Sequence, residues 1–370
     1  MIVVSLNKFT FPYSGGMESV SNSIIHDVIV ENDENVVLNI CSNPQIQKPI
    51  ATHERERIYF LCPFFFMFNM PVGFFVFNFI KLLIQNAQLQ YLRKIDAIVF
   101  HYPNPQYLGL LLVLKLFNPF AKVIIFWHCD IQKKGFLGKL VNWFCAFIFR
   151  LLNSQFVFTS QEYAKESDAR FFVNSGNVNF TKISGNVSVS VDHDGRFSKK
   201  ILFVGRLVEY KNLDFLVRLM EKLPDYTLTI IGSGVLYDEL DQLVSSLGLN
   251  ERVLLKGFVD DNALKEYFSE ADIFFLPSIN KAEAYGVVQV EAAAGGCHLF
   301  RFRIKGSGVS SVFQNHSFVH TFDIEDVGSI LEKLTELELK GESYWNSTRT
   351  DAKLAAIQLH ESTGYAGLIS

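Results

Sequence analysis

Short apolar runs alternate with helix-length segments along almost the whole chain, and this rhythm constrains the fold more than any other feature. Such alternation is typical of βαβ units, and therefore of parallel sheets covered by helices. In the first half, the predicted strands lie at 2–6, 36–40, 57–61, 96–101, 122–127 and 155–159. The predicted helices between them lie at about 17–31, 74–92, 107–117, 137–152 and 161–170.

The rhythm is interrupted between Thr181 and Lys200, where turn-forming residues replace the hydrophobic periodicity. It then resumes with predicted strands at 201–204, 227–231, 253–256, 272–276 and 297–301, and helices at about 212–222, 235–247, 261–270, 286–294 and 325–337. We therefore predict an α/β protein with two doubly wound, Rossmann-like domains, over 1–190 and 191–350. The sequence leaves open whether a last helix, over about 351–370, packs back on the N-terminal domain.

Composition excludes several classes of protein. The 49% of apolar and 19% of charged residues fit a well-packed globular protein and exclude a disordered or fibrous one. A net charge of −4 without a dense Lys/Arg block argues against nucleic acid as a partner, since such binding neutralises many phosphates. The five cysteines are scattered and never paired as CxxC, so we predict no disulfide framework, no metal site and a reducing, cytoplasmic location. The first apolar strand lacks the basic flank and the cleavage site of a signal peptide.

The 36 phenylalanines are unusual, and many of them lie within residues 59–84. Proline, glycine, asparagine and lysine interrupt this stretch before about 20 apolar residues accumulate, which argues against a membrane-spanning helix. An aromatic-rich core is the interpretation that the pattern favours. The alternatives are a peripheral membrane contact through 59–84 and, with less support, an integral membrane segment.

Candidate ligand-binding residues follow the strands of the second half. Arg206 and Lys211 come after the strand 201–204 and Gly205, at the edge where a parallel sheet gathers ligands and where a diphosphate would be stabilised. The alternative is a pair of solvated surface cations. Gly232 and Gly234 also close a strand, and they suit either a close approach to a ligand or a plain turn.

The segment 277–296 holds two carboxylates eight positions apart. Glu283 precedes a predicted helix and is suited to accept hydrogen bonds from sugar hydroxyls, while the amides of Gly286 to Val288 are suited to phosphate oxygens. Glu291 lies in an otherwise apolar, small-residue helix, where a carboxylate is costly unless it is satisfied, for instance by a ribose diol. The alternative is an exposed glutamate.

These motifs together resemble the retaining family-four glycosyltransferases of GT-B fold, the glycosyltransferases of group 1. The resemblance covers most of residues 200–337. The ordered series is Gly205-Arg206-Leu207 after a strand, Lys211, Gly232-Ser233-Gly234, Leu255-Lys256-Gly257-Phe258-Val259, Ala271-Asp272-Ile273-Phe274-Phe275-Leu276-Pro277-Ser278, and Glu283 with Glu291. In the first half, Ser14-Gly15-Gly16 resembles the family's glycine-glycine loop, and Trp127-His128-Cys129-Asp130 resembles the strand end that carries a histidine near the transferred sugar.

The resemblance implies two domains that face each other across a cleft, and it assigns the site residues. The implied catalytic residues are Arg206, Lys211, Glu283 and His128. The implied donor-binding residues are Gly15, Gly16, Gly205, Gly232, Gly234, Phe258, Val259, Tyr285, Gly286, Val287 and Glu291. The chain departs from the family pattern at Asn212, at Tyr285, at Gly296-Cys297-His298-Leu299 and at the strand end Arg301-Phe302-Arg303-Ile304-Lys305.

The implied reaction is transfer of a hexosyl group, with retention, from a nucleotide diphosphate sugar to a glycan or lipid-linked acceptor. The expected setting is assembly of a cell-surface polysaccharide of O-antigen or capsule type, at the inner face of the plasma membrane. No cofactor and no metal are expected, because cations and amides neutralise the diphosphate and the chain lacks a DxD motif. GDP-mannose, UDP-glucose and UDP-N-acetylglucosamine remain open as donors. The alternatives are a sugar-nucleotide epimerase or phosphorylase of the same architecture, and a non-catalytic nucleotide-sugar-binding protein.

Overall fold

The computed structural model describes residues 1–7, 16–32, 34–41, 50–53, 56–60, 65–67, 70–72, 94–131, 136–174, 176–183, 187 and 196–362. For 16–19 and 50–72 it describes the backbone alone. The chain divides into two compact units, with the boundary between Thr181 and Lys182.

The first unit contains an eight-stranded sheet in the order β10-β9-β8-β7-β1-β2-β4-β3. All neighbouring strands are parallel except β3 and β4. The strands of this sheet are β1 (Ile2–Leu6), β2 (Val36–Cys41), β3 (Ile50–His53), β4 (Glu56–Phe60), β7 (Ala97–Tyr102), β8 (Lys122–Trp127), β9 (Gln155–Phe158) and β10 (Val178–Phe180). A separate antiparallel pair is formed by β5 (Phe65–Met67) and β6 (Met70–Val72).

The described helices of the first unit lie close to their predicted positions. They are α1 (Gly16–Glu31), α2 (Leu108–Phe117), α3 (Phe136–Leu151) and α4 (Gln161–Glu166). The central strand β7 is buried along its whole length and β8 from Val123 onward, as the continuous apolar runs predict for parallel strands covered on both faces. The predicted helix at 74–92 falls outside the described residues, and so do all the side chains of the Phe-rich stretch 59–84.

The second unit contains a six-stranded, fully parallel sheet in the order β13-β12-β11-β14-β15-β16. Its strands are β11 (Lys200–Val204), β12 (Thr227–Ile231), β13 (Val253–Gly257), β14 (Ile273–Leu276), β15 (His298–Phe302) and β16 (Val319–Phe322). Its helices are α5 (Leu213–Leu219), α6 (Tyr237–Ser246), α7 (Asp261–Glu270), α8 (Val288–Ala294), α9 (Val327–Glu338) and α10 (Glu342–Glu361). The predicted α/β class with two doubly wound sheets is confirmed.

The last described helix, α10, packs against α8 in the second unit. Its buried Arg349 donates a hydrogen bond to Asp272, which in turn accepts bonds from the amides of Ser198 and Lys200 at 2.9 Å each. This network joins α10, β14 and the start of β11, so the helix is part of the second core as far as Glu361.

Candidate functional site

The strand order of the second sheet reverses between β11 and β14. From β11 the chain proceeds outward through β12 and β13, and it then returns to add β14, β15 and β16 on the other side. In open parallel sheets, ligands bind outside the carboxyl ends of the strands at such a switch point. The segments that follow Val204 and Leu276 therefore occupy the position where this architecture places a ligand.

A buried ion pair lies at this switch point. The ammonium of Lys211, at the end of the 3₁₀ turn Glu209–Lys211, donates a hydrogen bond to Oε2 of Glu283. The two side chains are only 7% and 11% exposed. The hydroxyl of Ser278 donates to the same carboxylate oxygen at 3.0 Å. The structure thus brings together two predicted site residues that are 72 positions apart, and for Lys211 its burial contradicts the alternative of a solvated surface cation.

Arg206 lies between the end of β11 and the turn that carries Lys211, and it is exposed. Its Nη2 donates to the hydroxyl of Tyr210 at 3.4 Å, and the ring centroid of Tyr210 lies 5.5 Å from the Lys211 ammonium. One tyrosine therefore contacts both cations. A buried and an exposed cation beside each other at a strand end form a positive region that suits an anionic ligand.

The glycines of this region have a specific structural role. A Cβ atom on Gly232 would lie 1.8 Å from the carbonyl oxygen of Gly205, and one on Gly234 would lie 2.2 Å from that of Leu207. The amide of Leu207 also donates to the carbonyl of Ser233 at 3.0 Å. The two turns therefore pack backbone to backbone, which holds the segment that carries Arg206. A role of these glycines in donor binding remains a prediction.

Asn212, one of the departures from the family pattern, has a φ of +54°. This left-handed conformation favours glycine, and asparagine is among the residues that tolerate it best. The side-chain amide of Asn212 also donates to Glu325 at 3.2 Å. The turn after Lys211 can therefore form without glycine.

The segment before α8 is held from several directions. Tyr285 is buried, its hydroxyl accepts a bond from the amide of Ile183 at 3.4 Å, and burial raises its pKa to about 12. Gly286 has a φ of +71°, and a Cβ atom there would lie 2.8 Å from the side chain of Leu276. Within the described residues, the amides of Val287 and Val288 have no backbone acceptor. They therefore remain candidates for phosphate oxygens.

The other predicted donor-binding residues lie near the same edge of the sheet. Glu291 is half-buried in the first turn of α8, which begins two residues later than predicted. Phe258 and Val259 follow the end of β13, and the ring of Phe258 is exposed. An exposed aromatic ring at this position is suited to stacking on a flat ligand group.

Arg301 is a residue that the sequence analysis noted only as an oddity, and it is buried at the end of β15. Its Nη1 donates to the side chain of Gln289 at 2.6 Å and to the carbonyls of Val309 and Val312 at 2.7 and 2.8 Å. Its Nη2 and Nε donate to the carbonyl of Ser310 and to the hydroxyl of Thr321 at 3.1 Å each. Burial lowers the pKa of Arg301 to about 10.

The loop that Arg301 holds in turn supports Glu283. The hydroxyl of Ser307 donates to the carbonyl of Glu283, and the amide of Gly308 donates to the carbonyl of Ala284 at 2.7 Å. A chain of contacts therefore leads from a buried arginine through one loop to the backbone of the candidate catalytic glutamate. The only signal in the sequence was a charged residue inside an apolar strand.

His128 lies in the first unit, directly after β8. Its Nε2 lies 2.9 Å from Nδ1 of His101, and the two rings are stacked. Burial lowers the pKa of His128 to about 4 and, together with the charge of His128, lowers that of His101 well below its usual value. Both rings are therefore neutral at neutral pH. His101 lies within the apolar run of β7, and no motif in the sequence pointed to it.

The remaining predictions concern the glycine-glycine loop, metal binding and membrane-spanning helices. Gly15 lies outside the described residues, and of Gly16 only the backbone is described, at the start of α1. Across the described ranges, no group of three or more His, Cys, Asp or Glu side chains is arranged to hold a metal ion. Within those same ranges, no helix combines the length and the apolar character needed to cross a bilayer.

Comparison with known proteins agrees with the geometry. Residues 196–351 match the family described as glycosyl transferases group 1. The chain is 38% identical over 118 residues to an uncharacterized glycosyltransferase of Methanocaldococcus jannaschii. It is 34% identical over 159 residues to the N-acetylgalactosamine-N,N'-diacetylbacillosaminyl-diphospho-undecaprenol 4-alpha-N-acetylgalactosaminyltransferase of Campylobacter jejuni. These matches cover 31% and 42% of this chain, and they span only 29% and 42% of the relatives' lengths.

Two solved structures share the fold over almost the whole chain. Sucrose-phosphate synthase from Thermosynechococcus elongatus has a TM-score of 0.73 at 15% identity, with 97% of this chain and 94% of that chain covered. Anabaena HepE in complex with UDP-glucose has a TM-score of 0.70 at 14% identity, with 100% and 99% covered. The predicted GT-B fold is confirmed. The chain therefore has the GT-B fold, and its residues 196–351 are similar to the glycosyl transferases group 1 family.

Proposed function

We propose that this protein is a retaining glycosyltransferase that moves a sugar from a nucleotide diphosphate sugar to a glycan or lipid-linked acceptor. The observation that carries the proposal is the buried Lys211–Glu283 pair at the switch point of the second sheet. A buried charge pair is costly to retain for stability alone, and pairs of this kind concentrate at functional sites.

The chemistry required of the site is stabilisation of a departing diphosphate. An ammonium has three protons, and the pair with Glu283 engages one proton of Lys211. The ammonium of Lys211 and the neighbouring guanidinium of Arg206 oppose the charge that develops on the leaving group, and the amides of Val287 and Val288 donate hydrogen bonds to further phosphate oxygens. No metal is needed in this scheme.

Whereas the cations stabilise the departing diphosphate, Glu283 acts on the sugar. Lys211 and Ser278 hold one oxygen of its carboxylate in a defined position, and Ser307 holds its backbone. A carboxylate fixed in this way accepts hydrogen bonds from sugar hydroxyls and stabilises the positive charge that develops on the sugar ring. Glu291 binds the ribose diol, and the neutral His128 contacts the transferred sugar.

The acceptor that we propose is a lipid-linked glycan of a cell-surface polysaccharide, of O-antigen or capsule type. The Campylobacter jejuni relative is named for a diphospho-undecaprenol substrate, and HepE was solved with UDP-glucose, which supports this class of donor and acceptor. We further propose a cytoplasmic protein that contacts the inner face of the membrane, including through residues 59–84.

A two-step assay tests the proposal. Thermal shifts with GDP-mannose, UDP-glucose and UDP-N-acetylglucosamine identify the donor, and NMR of the product formed on a lipid-linked acceptor reports the anomeric configuration. We expect a product with the donor's configuration, and much less product from Arg206→Met, which changes an exposed side chain and leaves the buried Lys211–Glu283 pair intact. Lys333→Met, on the exterior of α9, is the matched control and keeps activity. Conversion of the donor without an acceptor would instead identify an epimerase or phosphorylase, and binding without any conversion would identify a non-catalytic protein.

A further inference from the structure

Helix α3 (Phe136–Leu151) presents a row of large apolar side chains to the exterior of the first unit. Its opposite face is buried in the unit through Asn142, Cys145 and Phe149. The exposed side chains recur at intervals of three and four, and they therefore form one continuous face of the helix. They are Phe136, Leu137, Leu140, Trp143, Phe144, Phe147 and Leu151. We refer to these seven residues as the α3 face.

A neighbouring segment extends the α3 face. The ring of Phe172 lies edge-on to Trp143 with centroids 5.2 Å apart, and Trp143 stacks on Phe147 at 5.7 Å. The adjacent Phe171 is 71% exposed. A continuous exposed surface of this size and aromatic content is unusual on a soluble protein and marks an interaction site.

The charged residues of α3 itself have one sign. The helix contains no aspartate or glutamate, and its two charged residues, Lys139 and Arg150, are both exposed. The guanidinium of Arg170 lies 4.4 Å from the ring centroid of Phe171, at the edge of the same surface. A helix that combines exposed aromatic and leucine side chains with cations as its only charged residues matches the composition of helices that lie in the interface of an anionic bilayer.

The length and packing of α3 exclude an insertion across the membrane. Sixteen residues form a helix about 24 Å long, shorter than the hydrocarbon core of about 30 Å, and one face is already buried in the protein. The helix can therefore only lie parallel to a membrane surface.

We propose that the α3 face docks the protein on the surface of a membrane that contains anionic lipids. The side chains of Trp143, Phe144 and Phe147 enter the boundary between headgroups and acyl chains, while Lys139 and Arg150 contact the phosphates. Each cation near such a surface strengthens binding by about five-fold. This docking deepens the proposed function, because it brings the enzyme to a lipid-linked acceptor, but its test requires no turnover.

The fluorescence emission of Trp143 reports directly whether the α3 face enters the membrane. Of the three tryptophans in the chain, Trp127 and Trp345 are each 1% exposed, whereas Trp143 is 46% exposed. We expect vesicles of phosphatidylcholine with phosphatidylglycerol to shift the emission of Trp143 to the blue, and brominated lipids to quench it. Trp143→Phe removes the shift but retains binding in co-sedimentation. An unchanged emission spectrum with these vesicles would overturn the proposal.

Variants locate the binding to the α3 face. Phe144→Asp/Phe147→Asp lowers vesicle binding at least ten-fold, and Lys139→Glu/Arg150→Glu abolishes the preference for anionic over neutral vesicles. The matched control is Leu354→Glu, which changes a 52% exposed leucine on α10 of the second unit and leaves binding unchanged. All substituted side chains are exposed, and circular dichroism verifies that the variants fold.

Two further outcomes would show that the membrane binds elsewhere on the protein or that a second copy covers the α3 face. Equal binding by wild type and Phe144→Asp/Phe147→Asp would overturn the proposal, and so would a dimer in sedimentation that this variant abolishes, because a second copy would then cover the α3 face. Donor binding by calorimetry is expected to be unchanged in the variant. Vesicle binding without any transferase activity would refute the proposed function and leave the docking in place.

Discussion

The structure predicts that replacing Lys211 by methionine destabilises the second unit strongly. The change removes the ammonium and leaves the carboxylate of Glu283, whose side chain is 11% exposed, without its cation. Breaking one side of a buried pair costs about 3–5 kcal/mol, because an uncompensated charge stays in a low-dielectric environment. Since both partners are almost fully buried, this range applies without a reduction for solvent screening.

A second substitution, at Glu283, shows how much of the destabilisation by Lys211→Met comes from the unpaired carboxylate. Glu283→Gln removes the charge and keeps an oxygen that can accept from Ser278. The double variant Lys211→Met/Glu283→Gln is therefore expected to be more stable than Lys211→Met alone, with a coupling free energy of about 1–3 kcal/mol. Lys333→Met is the matched control, because Lys333 forms an exposed pair with Glu336 that contributes less than about 1 kcal/mol.

Native-state hydrogen exchange of β11 and β14 in increasing urea measures the free energy of unfolding of these strands without interference from the first unit. The reasoning would be refuted if Lys211→Met were as stable as Lys333→Met. It would also be refuted if adding Glu283→Gln destabilised Lys211→Met further.

Three other predictions follow from specific contacts. Gly232→Ala places a Cβ atom 1.8 Å from a carbonyl oxygen, so we expect loss of the folded second unit in circular dichroism, whereas Gly341→Ala, with no atom within 4 Å, changes little. Arg301→Met leaves several buried carbonyls without a donor, and we expect faster hydrogen exchange at 307–312 with a lower kcat/KM, only partly restored in Arg301→Lys. His298 and His320 form a buried pair, and burial lowers the pKa of both rings below 6.5, to about 4 for His320. As the pH falls below 6.5, the two histidines take up protons in the unfolded chain but stay neutral in the folded protein. The free energy of unfolding therefore falls between pH 6.5 and pH 4, by up to about 1.4 kcal/mol per pH unit per histidine, and His320→Gln reduces the slope in urea titrations.

The buried central strands were predictable from the sequence because they are apolar on both faces. Strands β8 and β12 have the predicted bounds, β11 begins one residue earlier than predicted, and β7 is shifted by one residue at both ends. Strand β16, at the edge of its sheet, was missed because Val-His-Thr-Phe carries no apolar run, and the half-exposed β10 was missed for the same reason. Periodicity detects burial, and edge strands are only partly buried.

The membership of the candidate site was largely predictable, but its internal contacts were not. Lys211 and Glu283 were both singled out, because each follows a strand that ends at the same edge. That they form a buried pair depends on how two loops 72 residues apart pack, which no local pattern encodes. The role of Arg301 was hidden for a related reason, since its acceptors are mostly backbone carbonyls, which every residue type carries.

A crystal structure of the protein with UDP or GDP bound tests the central proposal most directly. The proposal predicts diphosphate oxygens within hydrogen-bond distance of Lys211 Nζ and the guanidinium of Arg206, beside the end of β11. A diphosphate bound elsewhere, with the Lys211–Glu283 pair remote from it, would contradict the assignment of this site.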